Sequence, residues 1–266
     1  MKRIASVALL LLWSLPLWAL TPKEIVIKAD QLDDGETSIS ELTMTLIDDK
    51  GQKRIRQMKG YRKDYPGETK SINFFMSPAD VRNTALLSYD YDDDAKDDDN
   101  WLYLPALRKV KRIASGNKKD SFMGSDFSYH DMNGLKIEDW DYSMVKESEM
   151  VEGNDCWVIG SVPKKEVEKE VLRDTEYAKR LAWIRKDNYV VIRGKVWLTK
   201  GGRVKMLQAR GVKQVQGIWT ISELEMSTLD RQGAVEHSTI LKFDNIKYNE
   251  GVENNLFTTQ RMEQGL

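Results

Sequence analysis

The side chains with the most chemistry to offer crowd between positions 90 and 131 of this 266-residue chain. Asp90, Asp92, Asp93, Asp94, Asp97, Asp98 and Asp99 form its densest run of carboxylates. Calcium takes six to eight oxygen ligands, so an acidic run can hold it, but this spacing lacks the sixth-position glycine and closing glutamate of a calcium-binding loop. A solvated hairpin tip, which could also serve as a docking patch for a basic partner, is the better fit, and no metal ligand is assigned. Arg108, Lys109, Lys111 and Arg112 follow as a cationic stretch. Catalytic patterns are missing: there is no G-x-S-x-G elbow, no HExxH and no phosphate-cradling glycine loop. His130 and His237 are the only histidines and lie far apart in sequence. Cys156 is the sole cysteine, so no internal disulfide can form, and it reads as a buried strand residue with no His or second Cys to activate it. The expectation is a non-enzyme without cofactor; His130 beside Asp131 is where catalysis would have to be sought.

Composition sets the frame. The chain is 41% hydrophobic, 31% charged and 9% aromatic, which is globular, and its net charge of −1 lacks the basic footprint of a nucleic-acid binder. Residues 1–19 read as a cleaved secretory signal. Lys2 and Arg3 supply the positive end, an apolar run follows, and Leu17-Trp18-Ala19 offers a cleavage site. The run is short for a membrane span, and no cysteine stands directly after the expected cleavage point to take a lipid anchor. Residues 20–266 are expected as a single periplasmic domain.

The elements that must position these groups are mostly strands. Thr21-Pro22-Lys23-Glu24 is a helix start, with Thr as cap, Pro at the first position and Glu at the third. Ile25, Ile27 or Ala29, and Leu32 give that helix an apolar side. From there the period switches to two. Leu42, Met44 and Leu46 alternate with Thr43, Thr45 and Ile47, and turn pairs such as Asp49-Lys50-Gly51 recur to the far end. About ten or eleven strands in an antiparallel up-and-down meander are implied. Large apolar residues on both faces, as in Leu86 and Leu87, mean that neither face is simply solvated. An opening helix and an insertion near 125–135 can plug a concave side and leave a cavity; a fully packed sandwich or closed barrel fits the same pattern.

Residues 101–131 decide between these by resemblance. Trp101, Tyr103, Leu104 and Pro105 form an aromatic strand and the four cations a basic one. Phe122-Met123-Gly124-Ser125-Asp126-Phe127 and the pair Tyr129 and Asp131 follow. This order resembles the central segment of the LolA-like periplasmic family of outer-membrane lipoprotein-sorting proteins. The resemblance implies a mainly β fold: a strongly curved antiparallel sheet, an open half-barrel, wrapped around an N-terminal helix and a short helical plug. It implies a carrier that shuttles a lipid or lipoprotein-like apolar cargo between an inner-membrane exporter of the resistance-nodulation-division (RND) superfamily and an outer-membrane acceptor. A sensor or scaffold of the same fold that binds a protein partner is the alternative, and an outer-membrane assembly factor a third.

On that footing the expected lipid-binding residues are Trp101, Tyr103, Leu104, Arg108, Arg112, Phe122, Met123, Phe127 and Tyr129. Arg108, Val110 and Arg112 share one face of an extended strand. Arginine gives bidentate bonds to phosphate or carboxylate, so the strand either holds an anionic headgroup, with the acyl part on Trp101 and Tyr103, or pairs with the aspartates at 90–99. Phe122-Met123-Gly124 reads as a flexible lip or as a fixed plug. Ser125 or Asp126 is expected to cap a helical turn near Phe127.

Overall fold

The computed structural model describes residues 20–93, 96–134 and 136–266, so the expected secretory signal at 1–19 lies outside the described residues. Helix α1 (Pro22–Asp30) starts as its first residues dictate: the Thr21 N–H donates to the Glu24 carboxylate at 2.7 Å and the Glu24 N–H donates back to the Thr21 hydroxyl. A first meander follows: β1 (Thr37–Ile47), β2 (Lys53–Tyr65), β3 (Glu68–Ser77), β4 (Ala85–Tyr91), β5 (Asp99–Leu104) and β6 (Lys109–Arg112). The second comprises β7 (Trp140–Val151), β8 (Asn154–Pro163), helix α2 (Glu168–Thr175), β9 (Tyr177–Arg185), β10 (Val191–Leu198) and β11 (Val204–Arg210). After the small hairpin of β12 (Lys213–Val215) and β13 (Ile218–Thr220), β14 (Glu223–Leu229) and β15 (Val235–Tyr248) complete it, and helix α3 (Thr259–Gln264) ends the chain.

Thirteen of these strands form one antiparallel sheet in the order β6-β5-β4-β3-β2-β1-β15-β14-β11-β10-β9-β8-β7. The fold is mainly β, a single curved sheet that does not close into a barrel. It departs from a single long meander in one respect. The first and last strands pair in the middle, so the two edge strands, β6 and β7, are neighbours in sequence. Residues 113–139 must therefore cross from one edge to the other. The strand count also exceeds the ten or eleven expected. The run at 203–213 breaks at Gly211, whose φ of +63° no strand adopts, and the run at 217–229 splits into β13 and β14. Helix α2 was not apparent from the sequence because its apolar side is narrow: Val171 is its only fully buried aliphatic.

Directly paired residues share a face, so the register carries one face across the whole sheet. Leu42, Met58 and Phe75 lie on it in the first half; Met226, Leu207, Gly194, Ala182, Ile159 and Met144 continue it through the second. This inner face receives the crossover and α1. Leu86 and Leu102 of the first half and Met226 of the second pack into one cluster with Phe122 and Phe127 of the crossover, so the sheet curls toward that face. On the outer face of the first half, Ile72, Phe74, Leu87 and Tyr103 are covered by Val252, Phe257 and Met262 from the C-terminal segment. Both faces are apolar because each is covered by its own segment.

Candidate functional site

The crossover is anchored by two carboxylates. Asp126 is 4% exposed. It accepts from the Thr228 hydroxyl at 2.6 Å and the Thr239 hydroxyl at 2.8 Å, and it pairs with His237 Nδ1. Its own N–H donates to Thr239 Oγ1 at 3.0 Å. The hydrogen bond to Asp126 raises the His237 pKa above the ordinary imidazole value, against the opposing effect of burial. Asp131, five residues on, accepts from the Tyr177 hydroxyl at 2.6 Å, from the Ser128 N–H and hydroxyl at 2.8 Å each, and from Lys205 Nζ at 3.4 Å. Burial opposes its charge, but Lys205 and these donors prevail and hold the carboxyl below its usual range. His130 packs edge-on to Tyr177 with ring centroids 5.8 Å apart, and burial lowers its pKa.

Between these anchors Phe122, Phe127 and Tyr129 are buried with Leu42, Met44, Phe75, Leu86 and Leu102, and Met123 packs against the same cluster. Arg56 of β2 donates to the Met123 carbonyl at 2.6 Å. Phe122-Met123-Gly124 is thus a tied plug in this structure. The expected cap at Ser125 or Asp126 is not formed: Asp126 reaches β14 and β15, and the reciprocal pair Ser128 and Asp131 organises the helical turn at His130–Met132 instead. Gly124 has a φ of +75°, and a Cβ there would meet nothing within 4 Å. Gly124→Val is therefore expected to lower stability by about 1–2 kcal/mol through backbone strain alone. A urea midpoint equal to that of the wild type would contradict this.

The nine residues expected from the sequence do not form one site. Leu104, Phe122, Met123, Phe127 and Tyr129 meet on the inner face as packed core. Trp101 and Tyr103 point to the outer face, where Trp101 stacks edge-on to Tyr89 at 4.9 Å beneath the C-terminal segment. Arg108 lies outside β6, in a left-handed conformation with φ of 47°. Arg112 donates through Nε to Asp99 at 2.7 Å, so the pairing of the basic strand with the aspartate run holds for this residue.

Open space lies elsewhere on the inner face, along α1. Ile25 buries itself on Ile159 and Ile184. Beside it a 230 Å³ cavity is lined by Val26 and Ala29 of α1, Tyr142, Ile159, Ala182, Ile184 and Val191, with Arg180 in its wall. A second space of 410 Å³ is lined by Ala29, Leu32, Val191, Trp219, Ile221, Leu224 and Phe243, among others. Ala29 and Val191 belong to both, so the two spaces form a groove on either side of the last turn of α1. Ligand sites are typically such concave, mostly apolar spaces with few polar groups. Only the apolar side of α1 was a sequence-level sign of it. Among the described residues no cluster of His, Cys, Asp and Glu is arranged to hold a metal. Cys156 is fully buried and burial pushes its thiol pKa up.

An open, curled antiparallel sheet with a helix and a plug on its inner face is the LolA-like architecture. The chain belongs to the family whose model, described only as that of an uncharacterized protein, matches residues 67–264. It is similar to a DUF1329 family protein from Desulfovibrio piger, with 29% identity, a TM-score of 0.80, and coverage of 91% of this chain and 97% of that one. A domain from Vibrio parahaemolyticus, described as that of an outer membrane lipoprotein-sorting protein, is also 29% identical, with a TM-score of 0.79 over 91% and 98% of the two chains. A LolA superfamily protein from Nitrosomonas europaea shares the fold at 17% identity, with a TM-score of 0.67 over 91% and 100%. No curated protein matches the chain.

Proposed function

We propose that this protein is a non-enzymatic periplasmic carrier that holds a lipid or other lipid-like apolar molecule in the groove beside α1. The carrying observation is the pair of apolar spaces that share Ala29 and Val191 on the inner face. Burying acyl chain there gains roughly 0.8 kcal/mol per methylene, which is the driving force a carrier needs. The description of the Vibrio relative as a lipoprotein-sorting domain supports the same reading. In this proposal residues 1–19 direct export and residues 20–266 form one carrier domain. Cargo is received from an inner-membrane RND-superfamily exporter and passed to an outer-membrane acceptor. Release requires a better acceptor or a second state of the protein that holds the cargo less tightly, since only a difference in affinity between states can move the equilibrium.

The test is mass spectrometry of organic extracts from mature protein purified from the periplasm without detergent. A stoichiometric lipid or apolar metabolite is the expected result. A folded, empty protein that takes up no added lipid would overturn the carrier and leave the protein-binding scaffold.

A further inference from the structure

Arg180 is an inner-face cation that no carboxylate among the described residues neutralises. Arg180 of β9 sits in register with Ser161 and Val196 and forms part of the wall of the smaller cavity, beside Tyr142 and Ala182. Among the described residues no carboxylate lies within the 4.0 Å ion-pair distance of its guanidinium. Its one close partner is the Trp140 ring, 5.2 Å from the guanidinium carbon. Arg180 is half-buried, and a charge drawn largely out of water is normally paired and hydrogen-bonded, because desolvating an uncompensated ion is expensive.

The neighbouring acids are already committed. Asp131 is held by Lys205, Tyr177 and Ser128. Asp30, at the rim of the same cavity, is exposed and has a partner of its own. His130 adds no balancing anion, and burial disfavours its charged form. With Lys205 cancelling Asp131, the charge of Arg180 is left over, next to an apolar space. Burial lowers the Arg180 pKa, as expected of a cation short of water and of an anion.

We propose that Arg180 is the headgroup anchor of the groove and that the cargo is an anionic amphiphile, its carboxylate or phosphate oxygens paired with the guanidinium and its chain lying along α1. The planar fork of arginine fits either oxyanion through two parallel hydrogen bonds. Arg112, one of the two arginines that the sequence pointed to, is taken by Asp99 and does not line this space. The inference rests on the carrier reading and adds the sign of the cargo to it.

The experiment uses delipidated mature protein loaded with the neutral apolar dye N-phenyl-1-naphthylamine. Four competitors are compared: oleate, oleoyl lysophosphatidate, oleyl alcohol and inorganic phosphate. At least one of the two anionic amphiphiles is expected to displace the dye on the order of tenfold more tightly than the alcohol, whose chain is the same. Whichever anion binds more tightly identifies the headgroup as carboxylate or phosphate. Inorganic phosphate alone is expected not to compete. In Arg180→Met the preference should vanish while the affinity for the alcohol stays, and Arg180→Lys should restore most of it. Equal binding of alcohol and anions by the wild type, or a preference that survives Arg180→Met, would overturn the headgroup anchor and leave the carrier standing. Should the methionine variant not fold, the wild-type comparison alone decides. A protein that takes up neither dye nor competitor would instead refute the carrier reading itself.

Discussion

Replacing Asp126 by alanine is expected to lower stability by about 3 kcal/mol and the thermal midpoint by roughly 6–12 °C. Its carboxylate is one of the two points at which the crossover is fastened to the far half of the sheet, with Thr228 on β14 and His237 and Thr239 on β15 as partners. Hydrogen bonds to a charged group contribute about 1.5–3 kcal/mol each, and the threonine hydroxyls left behind are buried. The partly exposed His237 can rehydrate, so its share is discounted. Differential scanning calorimetry checks the size, and a midpoint within 2 °C or so of the wild type would show that the plug does not depend on this anchor.

The same contact predicts a pH dependence. The pKa of His237 is raised in the folded state by Asp126. Its contribution is fully present below the ordinary imidazole value of about 6.5 and is lost as pH rises through the folded-state value. Stability should therefore decline across that window in the wild type. In His237→Gln that part of the slope should disappear, and a wild-type slope retained in the variant would assign the titration to another group.

Local rules made α1 and the alternating strands legible. The capping box involves residues three apart, and the period of two needs only a few positions. What the sequence could not disclose was which side of each strand faces the crossover, since a one-residue change of register exchanges the faces. Trp101 and Tyr103 therefore looked like cargo contacts, although Leu102 and Leu104 are the members of β5 that face inward. The Phe-Met-Gly-Ser-Asp-Phe motif was visible, but the reason for its aspartate was not. The partners of Asp126 lie 102 to 113 residues away and come close only because β1 pairs with β15. Arg180 carried no sequence sign at all among 41 lysines and arginines; its place in the wall of an apolar cavity, with no carboxylate among the described residues in ion-pair reach, sets it apart.

Ala29→Trp is expected to abolish cargo binding while leaving the fold intact. Ala29 is half-buried on the last turn of α1 and lines both spaces of the groove. An indole there occupies volume that the cargo would otherwise fill. Excluding even four methylenes costs a ligand about 3 kcal/mol, or more than a hundredfold in affinity. The protein itself loses little, because tryptophan is tolerated in helices at a few tenths of a kcal/mol and the new ring meets apolar neighbours. Native mass spectrometry of detergent-free protein should show the lipid-bound fraction falling below about a tenth of the wild-type value, while the delipidated variant melts with the delipidated wild type, since bound cargo would itself raise the midpoint. Cargo retained at the wild-type level in a variant of normal stability would exclude the groove as its site. The contrasting variant is the double change Trp101→Asp and Tyr103→Asp. It places two carboxylates in the cluster beneath Phe257 and Met262, so any loss of lipid there should come with loss of the fold. A fall in melting temperature that accompanies cargo loss in the one variant but not in the other separates a binding groove from a core.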